Sequence, residues 1–174
     1  VNANDSKKRT VVHIAVIHGH VQSLKELLRV GADASARDNH SITPLMLAAF
    51  LGQTVIVDLL LREGNANSIT RDDYAWAAIH FAAYSNHPEI IVRLARDLVG
   101  PGRPGIDFAQ VSVMDWFGIT KRLNDGRLFE KHSKRGATNK KDFLSPLSLA
   151  VQRLSLEAVE VLIEHGSDPT LVDK

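Results

Sequence analysis

Three histidines near the start of the chain are of the type and spacing that could bind a metal ion. His13, His18 and His20 lie within eight residues of one another, and imidazole nitrogens are common zinc ligands. No acidic residue nearby completes a ligand set, and the chain contains no cysteine. We therefore predict that these histidines do not form a metal site.

A catalytic site is not predicted either. Asp115, His132 and Ser133 are the types of a nucleophilic triad, but nothing in their spacing sets a geometry. Residues 100–105, GPGRPG, match the G-x-G-x-x-G dinucleotide pattern. They follow a predicted helix and contain two prolines, whereas the dinucleotide loop follows a strand and opens a helix. We expect no catalytic residue, no cofactor and no enzymatic activity in this chain; the activity of a longer parent protein stays open.

Positive charge is concentrated in one irregular stretch. Residues 121–141 carry a local charge of +6, although the whole chain has a formal net charge of only +1. The stretch is either a solvated loop or a site for an anionic ligand, such as a phosphoinositide, an inositol phosphate or a nucleic acid. The candidate anion-binding residues are Lys121, Arg122, Arg127, Lys131, Lys134, Arg135, Lys140 and Lys141.

The rest of the chain follows a repeat of about 33 residues. Four similar segments begin at Thr10, Thr43, Ala77 and Ser145, with spacings of 33, 34 and 68 residues, the last being twice 34. Each segment contains two stretches with apolar residues at helical spacing. A glycine follows the second stretch in the first and last segments and is predicted to cap that helix. Since a single helix pair cannot bury its apolar face alone, neighbouring pairs must stack.

These segments resemble the ankyrin repeat family, whose unit is about 33 residues long with a T-P-L-H-x-A signature. The resemblance implies an all-α ankyrin solenoid, in which helix-turn-helix repeats are linked by hairpin-like β-turn loops. One domain is expected over residues 1–174, with regular repeats at about 5–37, 38–71, 72–99 and 143–174. It also implies structural roles for the repeated histidines His13, His20, His80 and His87. The matching residues are Thr43, Pro44, Leu45, Ala48, Ala49, His80, Ala82, Ala83, Pro146, Leu147 and Ala150.

Residues 100–142 break the pattern and allow two interpretations. The stretch is either an insertion between repeats or a decayed repeat with a long loop in front of it. The doubled spacing and the D-x-x-G-x-T pattern from Asp115 to Thr120 favour the decayed repeat.

Ankyrin stacks bind partners through their turn tips and first helices, so the resemblance implies which residues of this chain would face a partner. Several of these positions carry large apolar side chains, which a solvated scaffold would leave polar. This pattern predicts a concave groove, unless the irregular stretch folds back over it. The predicted partner-binding residues are Ile17, His18, His40, Ile42, Phe50, Leu51, Tyr74, Trp76 and Tyr84.

The expected function is therefore that of a protein–protein interaction module, monomeric on its own, which binds a segment of another protein in the groove. Sensing of an anionic ligand through residues 121–141 is the alternative. No apolar run reaches the ~20 residues of a membrane-spanning helix, and the lack of cysteine fits an intracellular location, cytoplasmic or nuclear. The repeat phase at both ends predicts that the chain is part of a longer protein.

Overall fold

The computed structural model describes residues 3–74, 76–98, 112–113, 142–143, 145–165 and 167. Over these ranges it confirms the predicted all-α solenoid. Four helix pairs form the stack: α1 (Val11–Ile17) with α2 (Val21–Arg29), α3 (Pro44–Phe50) with α4 (Thr54–Arg62), α5 (Ala78–Tyr84) with α6 (Pro88–Leu98), and α7 (Pro146–Gln152) with α8 (Leu156–Glu164). Two short strands, β1 (Ser112–Val113) and β2 (Asp142–Phe143), pair antiparallel, with Ser112 opposite Phe143.

Local sequence sets where the helices begin and end. The Thr43 hydroxyl accepts a hydrogen bond from the Met46 backbone N–H at 3.3 Å, and Pro44 follows in the first helical position, where no N–H is needed. Gly31 has a φ of +79°, and the amides of Gly31 and Ala32 donate to the carbonyls of Leu28 and Leu27. This is a Schellman cap, so the predicted glycine stop is confirmed there. The corresponding Gly166 lies outside the described residues.

The helices stack in two rows, because each repeat has small or apolar residues on the sides that meet its neighbours. The first helices α1, α3, α5 and α7 pack in that order, and the second helices α2, α4, α6 and α8 form the other row. The paired alanines, which let helices approach closely, are all completely buried: Ala48, Ala49, Ala82 and Ala83.

The fourth repeat packs directly on the third. Helix α5 contacts α7, and α6 contacts α8, in the same way that α3 contacts α5. The third and fourth repeats are therefore direct neighbours in the stack. Whether residues 100–142 form an insertion or a decayed repeat stays a prediction, because nearly all of them lie outside the described residues.

Polar contacts also tie successive repeats together. The Nε2–H of His13 donates to the carbonyl of Ile42 at 3.1 Å, while its Nδ1 accepts from the Thr10 backbone N–H. The resulting neutral imidazole links the first helix of one repeat to the next hairpin. Arg93 of α6 pairs with Asp58 of α4 at 2.9 Å. These contacts confirm a structural role for His13.

Leu154 is held in a left-handed conformation, with a φ of +56°, where two preceding repeats have Gly19 and Gly52. A branched side chain costs roughly 1–2 kcal/mol in this region, and Leu154 is 92% exposed, so its side chain recovers little by packing. We expect Leu154→Gly to raise the free energy of unfolding by about 1 kcal/mol. Urea unfolding followed by circular dichroism measures this. The control Val151→Gly, inside α7, should instead lower the free energy of unfolding by about 1 kcal/mol. A loss of stability in both variants would show that the backbone at Leu154 is not strained.

Candidate partner-binding surface

An aspartate organises each of the three described hairpin tips. One oxygen of Asp38 accepts the backbone N–H groups of His40 and Ile42 at 2.8 and 2.9 Å. Asp5 does the same for Lys7 and Arg9, and Asp72 for Tyr74 and Trp76. Each tip is therefore a pre-formed loop. Sequence reasoning did not select these aspartates as tip-forming residues, although their spacings of 33 and 34 residues repeat the helical period.

The tips are also joined edge to edge. The Asn39 N–H donates to the Lys7 carbonyl at 3.0 Å, and the Asp73 N–H donates to the His40 carbonyl at 3.2 Å. The Ser41 hydroxyl donates to the Asp73 carboxylate at 2.5 Å. The three tips thus form one continuous ledge beside the row of first helices.

Trp76 is the centre of an aromatic cluster in the third repeat. It is only 1% exposed. Its ring meets Phe81 edge-on at a centroid distance of 5.3 Å and lies 5.8 Å from Tyr84, which in turn lies 6.5 Å from Phe50. Leu149 of α7 packs into the same cluster. The cluster is therefore an extension of the core that spans the second, third and fourth repeats.

Arg153, just after α7, covers the outer side of this cluster. Its guanidinium carbon lies 4.7 Å above the Tyr84 ring, and its Nε donates to the Tyr84 carbonyl at 3.3 Å. Burial raises the pKa of the Tyr84 hydroxyl, and the nearby Arg153 charge partly offsets that rise. Sequence spacing alone does not reveal this contact, because it joins residues 69 positions apart.

The predicted exposure of the groove residues is wrong for four of them. His40, Ile42, Trp76 and Tyr84 are buried; Ile42 packs in the main core, while Trp76 and Tyr84 form one cluster with Leu149 of α7. The others remain accessible: His18 and Leu51 are exposed, and Ile17, Phe50 and Tyr74 are half-buried. Ile14, which the prediction omitted, is also exposed; it occupies the same position in α1 as the half-buried Phe81 in α5.

Burial favours the neutral form of His80 and His13. His80 accepts the Ala77 backbone N–H on Nδ1 at 3.0 Å, and burial, with the Arg71 charge as a further cause, lowers the pKa of His80 from 6.5 to about 3. Burial also lowers the pKa of His13. At the surface, hydrogen bonding to Arg9 lowers the pKa of the Asp5 carboxyl from 3.8 to about 2.

No metal-binding group of three or more histidine and acidic side chains occurs within the described ranges. His18 and His20 stack on each other with ring centroids 5.5 Å apart, while His13 is used in hydrogen bonds within the core. Among the helices that the structure describes, none combines the length and apolar composition required to cross a bilayer. The basic residues of 121–141, and with them all eight candidate anion-binding residues, lie outside the described residues.

Comparison with known proteins agrees with this architecture. Residues 12–101 match the family described as ankyrin repeats (3 copies), and residues 142–174 match a further ankyrin repeat. A probable E3 ubiquitin-protein ligase of Oryza sativa subsp. japonica, XBOS31, is 39% identical over 61% of this chain and 25% of its own length. A second from the same plant, XBOS32, is 26% identical over 92% of this chain and 31% of its own length.

Inversin of Canis lupus familiaris is 35% identical over 62% of this chain and 10% of its own length. The chain thus spans less than a third of the length of each of these three relatives, and the activities in their names belong to those longer proteins. The matched families cover the same helix pairs that stack in the structure. This chain is a member of the ankyrin repeat family.

Proposed function

We propose that this ankyrin stack binds an apolar segment of another protein in the groove between the hairpin ledge and the first helices of repeats one and two. Ankyrin repeats are general protein–protein interaction modules, so the proposal concerns where the partner binds and what it presents. The observation that carries it is that Ile14 and Leu51 are exposed and Ile17 is half-buried along the first helices of repeats one and two.

We confine the proposed groove to repeats one and two. There Ile14 and Leu51 are exposed, whereas in repeat three Tyr84 is covered by Arg153. A partner that continues past repeat two therefore meets the guanidinium of Arg153 rather than the aromatic ring of Tyr84. This arrangement suits a segment with apolar side chains followed by a carboxylate, because an arginine binds a carboxylate through charge-assisted hydrogen bonds.

The test uses Ile17→Asp/Leu51→Asp, which places two charges in the groove at positions that are not fully buried. Affinity capture from lysate with the wild type supplies a partner, and titration calorimetry then compares the variants against it. We expect at least a tenfold loss of affinity, because burying an unpaired carboxylate against apolar groups costs more than ~1.4 kcal/mol.

The matched control is Val55→Asp, which introduces the same charge at a 63% exposed position on α4, outside the row of first helices. The control should bind like the wild type. Equal affinities for the groove variant and the wild type would place the partner elsewhere on the stack.

The anionic-ligand function remains an alternative because of the local charge of +6 at residues 121–141. The test measures binding to vesicles that contain a phosphoinositide, at two salt concentrations. It compares the wild type with the quadruple variant Lys134→Glu/Arg135→Glu/Lys140→Glu/Lys141→Glu. Binding through this stretch should weaken steeply with salt and be abolished in the variant. Binding that is unchanged in the variant would rule out this stretch as its source.

A further inference from the structure

We infer that Arg153 sets the specificity of the groove, by binding an acidic residue about six positions away from the apolar residue that contacts Leu51 in an extended partner segment. This site lies beyond the groove proposed above and rests on that proposal. Three observations support it: the position of Arg153 in the row of first helices, the contacts that fix its side chain, and its isolation from other charges.

Arg153 occupies the same position in the fourth repeat as Leu51 in the second. The C-cap residues of the four first helices are equivalent in the repeat register, and they are His18, Leu51, Ser85 and Arg153. The helices themselves contain no Asp, Glu, Lys or Arg. Among the first helices and C-caps that the structure describes, Arg153 is therefore the one fully charged residue when histidine is neutral. It is also exposed.

Two contacts hold the Arg153 side chain against the third repeat. Its guanidinium carbon lies 4.7 Å from the centroid of the Tyr84 ring, and its Nε donates to the Tyr84 carbonyl at 3.3 Å. The ion pairs between described residues use Arg9, Arg29 and Arg93, and none involves Arg153. The side chain is thus fixed before a partner binds, which lowers the entropy lost on binding.

The fixed guanidinium fits a carboxylate. Because its Nε is bonded to the backbone, Nη1 and Nη2 form the end of the side chain that a partner can reach. These two nitrogens match the two oxygens of a carboxylate, and charge-assisted hydrogen bonds of this kind are roughly twice as strong as neutral ones. A positive charge at the C-terminal end of α7 also stabilises that helix, but this role does not require the side chain to lie over Tyr84.

The distance between repeats sets the spacing in the partner. Helices α3, α5 and α7 pack side by side, and packed helices lie ~8–10 Å apart, so Leu51 and Arg153 are separated by roughly 16–20 Å. An extended chain advances ~3.3 Å per residue, so two residues six positions apart span ~20 Å and lie on the same face. The C-cap residues supply one position per repeat. This single row matches the single row of side chains on one face of a strand, whereas an amphipathic helix presents a wider stripe.

The first experiment selects binders from a displayed library of random peptides about 16 residues long, enough for an extended or a helical segment of this span. Selection on the 174-residue chain should enrich an apolar residue with an acidic residue about six positions away. Selection on Ile17→Asp/Leu51→Asp should not recover these peptides. Selection on Arg153→Glu should recover peptides that keep the apolar residue and have a basic residue in place of the acidic one.

Titration calorimetry with one selected peptide then measures the contact itself. Arg153→Glu should weaken binding at least tenfold, because it places two like charges together. Changing the acidic residue of the peptide to lysine should restore at least tenfold of the affinity for Arg153→Glu, a gain that a misfolded variant could not show. The matched control is Arg62→Glu, which makes the same change of charge at an exposed position at the end of α4. It should bind like the wild type.

The outcomes separate the Arg153 site from the groove on which it rests. Peptides that fail on Ile17→Asp/Leu51→Asp but have no preferred acidic residue, or bind Arg153→Glu equally well, would overturn the Arg153 site and leave the groove standing. An acidic residue enriched about 11–13 positions from the apolar one would indicate a helical partner and overturn the extended segment. Peptides that bind Ile17→Asp/Leu51→Asp as well as the wild type would overturn the groove, and the Arg153 site with it.

Discussion

Trp76→Ala is expected to lower the free energy of unfolding by about 3–5 kcal/mol, the usual cost of emptying a large aromatic site in a core. Trp76 is 1% exposed and contacts Phe81 and Tyr84 from its own repeat, with Leu149 from the next. Since whole domains are stable by roughly 5–15 kcal/mol, this single change should remove a large part of the stability.

Trp76→Phe separates packing from hydrogen bonding. Among the described residues the indole Nε1–H of Trp76 has no hydrogen-bond acceptor, although it is buried. Replacing the indole by a phenyl ring removes that unsatisfied donor while retaining most of the aromatic contact, so the loss should be less than half that of Trp76→Ala.

Urea unfolding followed by circular dichroism gives both values, and Leu51→Ala is the control. Leu51 is 36% exposed, so its truncation should cost less than about 1 kcal/mol. A cost for Trp76→Ala as small as that of Leu51→Ala would mean that Trp76 is accessible, as the sequence alone suggested, and that the aromatic cluster does not hold repeats three and four together.

The sequence predicted the helix pairs, their caps and their stacking, because these depend on local spacing. Thr43 and Pro44 start a helix wherever they occur before an apolar run, and Gly31 ends one for a reason contained in its own backbone. The period of about 33 residues then fixes which helices are neighbours. Predicting these features therefore requires no knowledge of contacts between residues far apart in the sequence.

The accessibility of the groove could not be predicted in the same way, because it depends on residues far along the chain. The register placed Tyr84 at a partner-facing position, but Arg153, which covers it, is separated from it by the irregular stretch. Trp76 was predicted to face a partner because of its place before the N-cap, although its side chain packs inward against Leu149 of α7. A repeat register identifies equivalent positions and leaves open what covers each of them.

Two of the buried histidines, His13 and His80, are expected to make the stability of the fold sensitive to mild acid. In the folded chain His80 has a pKa of about 3, against 6.5 for an ordinary histidine, and the pKa of His13 is also lowered. The unfolded chain therefore binds these protons first as the pH falls below about 6.5. The stability that depends on the neutral form of His80 is fully present above pH ~6.5 and is lost as the pH falls from ~6.5 to ~3. The Asp5 carboxyl, with a pKa lowered from 3.8 to about 2, contributes its own loss of stability only below about pH 4, at the lower end of this window.

From pH 6.5 to about pH 4.5, His80 alone should reduce the free energy of unfolding by about 2–3 kcal/mol, since each pH unit contributes ~1.4 kcal/mol while only the unfolded state is protonated. Urea unfolding at about pH 7 and pH 4.5 measures the loss. His80→Gln is the comparison, because glutamine at this helix position can still accept the Ala77 N–H and does not titrate. The variant should lose distinctly less stability on acidification than the wild type, retaining only the contribution of His13 and weaker groups. Parallel losses in both proteins would show that His80 can take up a proton without unfolding, and hence that it is open to water in the folded stack.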